Sequence, residues 1–294
     1  MSKIKNNKMK YIGFLLMLIS SICFGLLPIF ATFAYENHVS TQVILLFRFL
    51  LAAIFLNIYV LTKKHKYPRG KALVILIVMG GVGYAAQSFF YFSALPLIGS
   101  SLTSILLYLH PGIVLVLSIF LLKNKIKKVE IVALLLATIG AILVIGIKFH
   151  NVNYIGIVFG VSAAFVYSIY ILAGAEVMKG MDPIVGSTVI ISSAAMVYTF
   201  YGISSHVTIP SDLNQWIWIL AIVIISTIIA ISTFFAGLKI VGPVKATMIS
   251  TFEPVVTVFF SYLVLKETIN IYQVGGAIFI ITAAIIIAKE SKHE

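Results

Sequence analysis

The chain has 294 residues, 61% of them hydrophobic and 10% charged, with a formal net charge of +12 and a mean hydropathy of +1.11. A soluble domain of this length would carry roughly a quarter charged residues, so the apolar residues are too many for one aqueous core. The basic excess would favour nucleic acid or an acidic partner in a soluble chain, but the Lys and Arg residues lie in short breaks between apolar blocks, and no nucleic-acid role is expected.

The apolar blocks are about 20 residues long, the length a helix needs to cross ~30 Å of hydrocarbon. The pattern predicts ten spans, near 11–34, 41–61, 72–95, 98–122, 130–147, 153–175, 183–204, 215–238, 243–265 and 271–288. Eighteen Lys and Arg residues fall on one side of this arrangement, whereas Lys148 and Lys266 fall on the other. By the positive-inside rule both termini are expected in the cytoplasm, with Trp216 and Trp218 at the outer interface.

The start "MSKIKNNKMK" imitates a signal-peptide basic region, but the apolar run after it is long and lacks a small-residue cleavage site. An uncleaved first span is expected. It carries the lone Cys23, which can form no intrachain disulfide, and a stripe of Ser21, Gly25, Pro28 and Thr32 at helical spacing. Arg48 lies inside the second span. On the third, Gly80, Tyr84, Gln87 and Tyr91 share a face. The fourth contains "LLYLHPGIVLVL", with Tyr108, His110 and Pro111 inside an apolar run. The ninth contains "STFEPVVTVFF", with Glu253 and Pro254 in the same relation and a stripe of Ser250, Pro254, Thr257 and Ser261.

Those two segments are copies. At an offset of 143 residues His110 falls on Glu253, Phe92 on Phe235, Leu95 on Leu238, Gly99 on Gly242, Pro111 on Pro254 and Ser118 on Ser261, without a gap. The reading is two five-span halves, 1–150 and 151–294. Five is odd, so the second half must enter the membrane from the opposite side. In such inverted repeats the substrate site lies near the midplane, where the halves meet. The simpler alternative is a duplicated bundle whose prolines are only kinks.

Arg48, His110 and Glu253 are the ionisable groups well inside the spans. A charge at the bilayer centre costs ~2.5–3.5 kcal/mol on insertion scales, so each should face the interior with a partner or water. Each proline frees a carbonyl one turn earlier and opens a polar notch beside its neighbour. Glu253 is read as binding a cationic or amine-bearing group or titrating a proton, with a salt bridge to Arg48 as the structural alternative. His110 is a cavity group or a satisfied hydrogen-bonding residue. Arg48 either holds a helix contact or recognises an anion. Small residues in the stripes suit close packing, whereas Gln87, Tyr84 and Tyr91 suit a cavity wall. Pro111, Pro254, Pro28 and Gly25 are candidate kink or gating positions.

There is no HExxH, P-loop, GxSxG or Cys/His cluster of metal spacing. An enzyme, a cofactor and a metal are therefore not expected, and ATP hydrolysis on this chain is excluded as an energy source.

At these residues the chain resembles the drug/metabolite transporter superfamily, and within it EamA-type proteins. The resemblance covers both halves and is strongest at "STFFAGLKIVGPVKATMISTFEPVVTVFFSYLVLKETINIYQVGGAIFIITAAIII". It continues in "YFSALPLIGSSLTSILLYLHPGIVLVLSIFLL" and in "RFLLAAIF" from Arg48, with Gly25 as the expected small residue. Asn124 departs from the family's glutamate, which Glu267 keeps, and His110 stands where the family varies. The resemblance implies an all-α, ten-helix basket of two inverted repeats around a central cavity opened alternately to each side. It implies a plasma-membrane exporter of amino acids, related small metabolites or toxic compounds. Within the cavity Glu253, His110, Gln87, Tyr84, Tyr91, Tyr108 and Thr257 would favour a zwitterionic or amine-bearing solute over a phosphate, with proton coupling as one energy source. An uptake carrier, and a lipid flippase or non-transporting subunit, are the competing readings. A closed central pocket argues for a small solute, and a groove open sideways to the bilayer argues for lipid. The sequence leaves the oligomeric state open.

Overall fold

The computed structural model describes residues 2–122, 127–146, 153–204, 209–266 and 268–293. Asn124, Lys148 and Glu267 lie outside them. Among the described residues the structure is all helical, with ten helices long and apolar enough to span a membrane. They are α1 (Met9–Glu36), α2 (Thr41–Thr62), α3 (Lys71–Tyr91), α4 (Thr103–Leu122) and α5 (Lys128–Ile145). The second half supplies α6 (Tyr154–Gly180), α7 (Pro183–Ser204), α8 (Leu213–Val241), α9 (Pro243–Val264) and α10 (Ile271–Glu290). Ten is even, so both termini emerge on one face, called here the terminal side.

The halves are interleaved. α1 packs most closely on α8, and α3 with the start of α4 on α6. These two pairings exchange when the halves are exchanged. α2 packs on α7 and α5 on α10, each pair being its own counterpart. In the last pair Gly140 and Gly276 face each other: a Cβ on Gly140 would lie 2.7 Å from the Gly276 carbonyl oxygen, and one on Gly276 2.6 Å from that of Gly140. Lipid tails give no hydrophobic drive for helices to associate, so backbone contact of this kind is a main source of attraction.

The chain between α3 and α4, expected as a short loop near residues 96–97, keeps helical hydrogen bonding from Ala85 to Leu107. It nevertheless doubles back, because Tyr91 Oη lies 3.3 Å from Ser104 Oγ. Thirteen residues of straight helix would separate them by ~20 Å.

The interior is interrupted where the sequence predicts. Helical structure breaks at Leu26 in α1, at Tyr108–Leu109 in α4 and at Thr251–Phe252 in α9, each just ahead of a proline. α3 and α8 each carry a π-helical turn, Met79–Tyr84 and Ile224–Ile229. Toward the terminal side the side chains of Met17, Leu76, Met178 and Leu238 are fully buried. On the far side Trp218 stacks on Phe33 at 4.4 Å, and Trp216 Nε1 donates to the Pro210 carbonyl at 3.2 Å.

Candidate functional site

The proline at 111 has no N–H for the Leu107 carbonyl, and that oxygen is taken instead by His110 Nδ1 at 3.0 Å. Carrying its proton on Nδ1, a neutral His110 presents a bare acceptor at Nε2. That atom is buried and has no hydrogen-bond partner among the described residues. The ring, 2% exposed, lies edge-on to Tyr167 at 4.9 Å.

The pseudo-equivalent break in α9 places Glu253 in the first turn of a new helical segment, where N-terminal N–H groups favour a negative charge. Glu253 Oε2 accepts from Tyr108 Oη at 3.3 Å. The break in α1 packs directly against it: a Cβ on Gly25 would sit 2.8 Å from the Glu253 carbonyl oxygen and 2.8 Å from Val256 Cβ. Thr257 Oγ1 completes the contact by donating to the Gly25 carbonyl at 2.7 Å.

Arg48 is buried and does not pair with Glu253. Its Nε donates to Thr227 Oγ1 at 2.8 Å, and its Nη2 to Tyr84 Oη at 3.1 Å and to the Ser226 carbonyl at 3.4 Å. Tyr84 and Thr227 stand 143 residues apart, so they are equivalent positions of the two halves, each within its π-helical turn. The Thr227 hydroxyl donates in turn to the Ile222 carbonyl at 2.9 Å. The expected alternative of an Arg48–Glu253 salt bridge is thus replaced by a clamp between halves. Five N–H groups are available on a guanidinium. Three are used here, which leaves the pair on Nη1 without a protein partner among the described residues.

These groups surround one central cavity of about 150 Å³. Of the residues anticipated for it, Glu253, His110, Gln87, Tyr84, Tyr91 and Tyr108 all line it, and Arg48 joins them. Thr257 does not; its hydroxyl is spent on backbone carbonyls. The α3 stripe divides, because Gly80 packs on the Ile190 backbone of α7 while Tyr84, Gln87 and Tyr91 face the cavity.

Several lining residues were not anticipated, Tyr167 and Tyr170 of α6 foremost. At the repeat offset Tyr167 matches Phe24, Tyr170 matches Leu27, Phe234 matches Tyr91 and Ile231 matches Ser88, and all eight line the cavity. Tyr91 alone of these was anticipated, so the repeat pointed to Phe234 and not to the tyrosines of α6. In each of these pairs one mate is polar and the other apolar. The polar mates lie on α3 and α6, the apolar ones on α1 and α8. The cavity is symmetric in position and two-faced in chemistry. Tyr170 Oη, on the polar face, is a second buried atom without a hydrogen-bond partner among the described residues.

Among the described residues no group of three or more His, Cys, Asp or Glu could hold a metal ion. The sequence pattern of the EamA-like transporter family matches the chain twice, over residues 11–146 and 154–289. The chain is 26% identical over 288 residues to the uncharacterized transporter YcbK of Bacillus subtilis (strain 168), covering 92% of this chain and 91% of YcbK. It is 24% identical over 275 residues to the uncharacterized inner membrane transporter YhbE of Escherichia coli (strain K12), covering 86% and 81%. A solved crystal structure superposes with a TM-score of 0.80 at 17% identity, over 93% of this chain and 95% of that one, which shows the shared fold.

Proposed function

The chain belongs to the EamA-like transporter family, and we propose that it is a secondary transporter of the bacterial cytoplasmic membrane that exports amino acids or closely related amine-bearing metabolites. The observation that carries this reading is that a carboxylate and a guanidinium line the same small cavity without pairing to each other. A zwitterion supplies both missing partners: its ammonium group meets Glu253, and its carboxylate meets the two spare N–H groups of Arg48. Bidentate capture of a carboxylate is what a guanidinium fork does best.

The polar face orients such a ligand. His110 Nε2 accepts a hydrogen bond and Tyr170 Oη donates one, while Phe24, Leu27, Ile231 and Phe234 offer an apolar surface opposite. Alternating access is supported by the interleaved halves and by the buried side chains toward the terminal side, which rocking of one half against the other would expose. In this reading both termini and residues 1–150 and 151–294, as two inverted repeats, are arranged with the termini in the cytoplasm, consistent with the Lys and Arg asymmetry. Glu253 is the group through which a proton gradient would couple. An uptake carrier would use the same cavity with the gradient reversed.

A lipid flippase is the second reading, favoured by a groove between α3 and α7. The groove lining holds no charged residue to guide a lipid headgroup, so the charged central cavity outweighs it. The test is efflux from proteoliposomes loaded with a mixed pool of amino acids and small metabolites, read by mass spectrometry, for wild type and Glu253→Gln with and without a pH gradient. A defined subset leaving only with the wild type supports the exporter. Retention of the whole pool under every gradient overturns it.

A further inference from the structure

Beside the central cavity lies a second one of about 750 Å³, between the far-side parts of α2, α3 and α7, with Tyr35 of α1 at its rim. Ser88 lines both. The partition between them is an aromatic stack. Phe49 lies flat against Tyr198 at 5.1 Å and edge-on to Tyr84 at 5.2 Å. Tyr198 Oη reaches the Ala85 carbonyl at 3.5 Å, the outer limit of a hydrogen bond. Tyr84 is also held by Arg48 Nη2 at 3.1 Å, and Tyr198 shares a side-chain hydrogen bond with Ser88.

The groove reaches the outer surface of the bundle, since Phe89 and Tyr201 on its lining are 60% and 50% exposed. Its α3 wall includes three small side chains, Ala85, Ala86 and Ser88. At the repeat offset Ala85, Ala86 and Ser88 correspond to Ile228, Ile229 and Ile231. Two methyl groups and a hydroxymethyl thus stand where the other half has three branched chains.

Size points the same way. A cavity of about 150 Å³ holds one benzene-sized group, and sites for larger ligands begin at about 300 Å³. A zwitterionic head fills the central cavity and leaves little room for a substituent.

We propose that the two cavities are one bipartite site, in which the central cavity takes the charged head and the lateral groove takes an alkyl or aryl tail passing Ser88. The preferred substrates are then amphiphilic amino-acid-like compounds. This rests on the charged-head reading above.

The experiment is efflux of straight-chain 2-aminoalkanoic acids, from alanine to 2-aminooctanoic acid, from proteoliposomes, corrected for leak from protein-free vesicles. The half-saturating concentration should fall roughly fourfold per methylene once the chain outgrows the central cavity, the gain expected for burying one such group. Ala86→Trp, which fills the groove, should abolish that fall while alanine efflux persists. Ser93→Phe on the same wall serves if the tryptophan variant fails to fold.

A flat chain-length profile in the wild type, or a fall that survives both substitutions, overturns the bipartite site and leaves the charged-head reading intact. Failure of every member to leave overturns both. A phospholipid retained by the wild type in native mass spectrometry and lost in Ala86→Trp, together with a flat profile, assigns the groove to an acyl chain and also overturns the proposal.

Discussion

Tyr84 and Thr227, equivalent residues of the two halves, are held by the same guanidinium, that of Arg48. Both lie in π-helical turns, which are rare, cluster at functional sites, and leave backbone groups in need of partners. Arg48 therefore ties the two irregular turns together beside the cavity and leaves the two N–H groups of Nη1 without a protein partner among the described residues.

Arg48→Lys keeps the charge and loses the fork. The variant should reach the membrane, unfold at a lower temperature in detergent, and lose at least tenfold in zwitterion efflux. Each hydrogen bond to a charged group contributes ~1.5–3 kcal/mol. Wild-type efflux and an unchanged unfolding temperature would show that the clamp matters to neither stability nor transport.

Glu253→Gln preserves shape and an acceptor for the Tyr108 hydroxyl, but removes the charge. Efflux of amine-bearing substrates should disappear or lose its pH dependence, while gel filtration shows an intact, monodisperse protein. Normal efflux that still responds to pH would remove Glu253 from the ammonium site and from proton coupling.

For His110→Ala the expected change is in selectivity. The bare acceptor at Nε2 is gone, so ligands that donate a hydrogen bond to it should fall in rank by about tenfold against those that do not. The Leu107 carbonyl is also left unpaired, at ~1–3 kcal/mol. A competition assay with an unchanged ranking of substrates would count against a role in recognition.

Gly25→Ala drives a methyl group into the Glu253 carbonyl and Val256. Overpacking of this kind costs ~1–3 kcal/mol, and here it displaces the backbone that carries the carboxylate. Thermal stability and efflux should fall together. Gly112→Ala is the matched control, because among the described residues nothing beyond its own turn of helix lies within 4 Å of the added group. Its unfolding temperature should hold or rise slightly, as a helical alanine is favoured over glycine. Equal behaviour of the two variants would mean that the close approach at Gly25 is not required.

Much of this protein follows from sequence alone. Apolar blocks of membrane length establish ten helices, and an odd number of spans per copy makes the repeat inverted. The His110-Pro111 and Glu253-Pro254 pairs locate the breaks in α4 and α9, because a proline cannot supply its N–H and the freed carbonyl must find another partner. The same offset, applied to the α1 stripe of Ser21, Gly25, Pro28 and Thr32, leads to Ala164, Ser168, Ile171 and Ala175. Tyr167 and Tyr170, whose mates Phe24 and Leu27 are apolar, were therefore not legible in the pattern.

Partner choice was decided only in three dimensions. Thr257 and Gly80 lie on the polar or small stripes of their helices, yet both are spent on helix packing. In a bilayer an apolar face packs against lipid or protein alike, so a stripe does not say what it meets. A π turn also adds a residue to its helix and rotates every side chain beyond it, which splits the α3 stripe at Tyr84. Arg48 could have reached Glu253 or the π turns, and nothing in its neighbours along the chain distinguishes them. The tertiary structure chose the π turns because α2 lies against both halves, where a planar fork can satisfy two hydroxyls and a carbonyl at once.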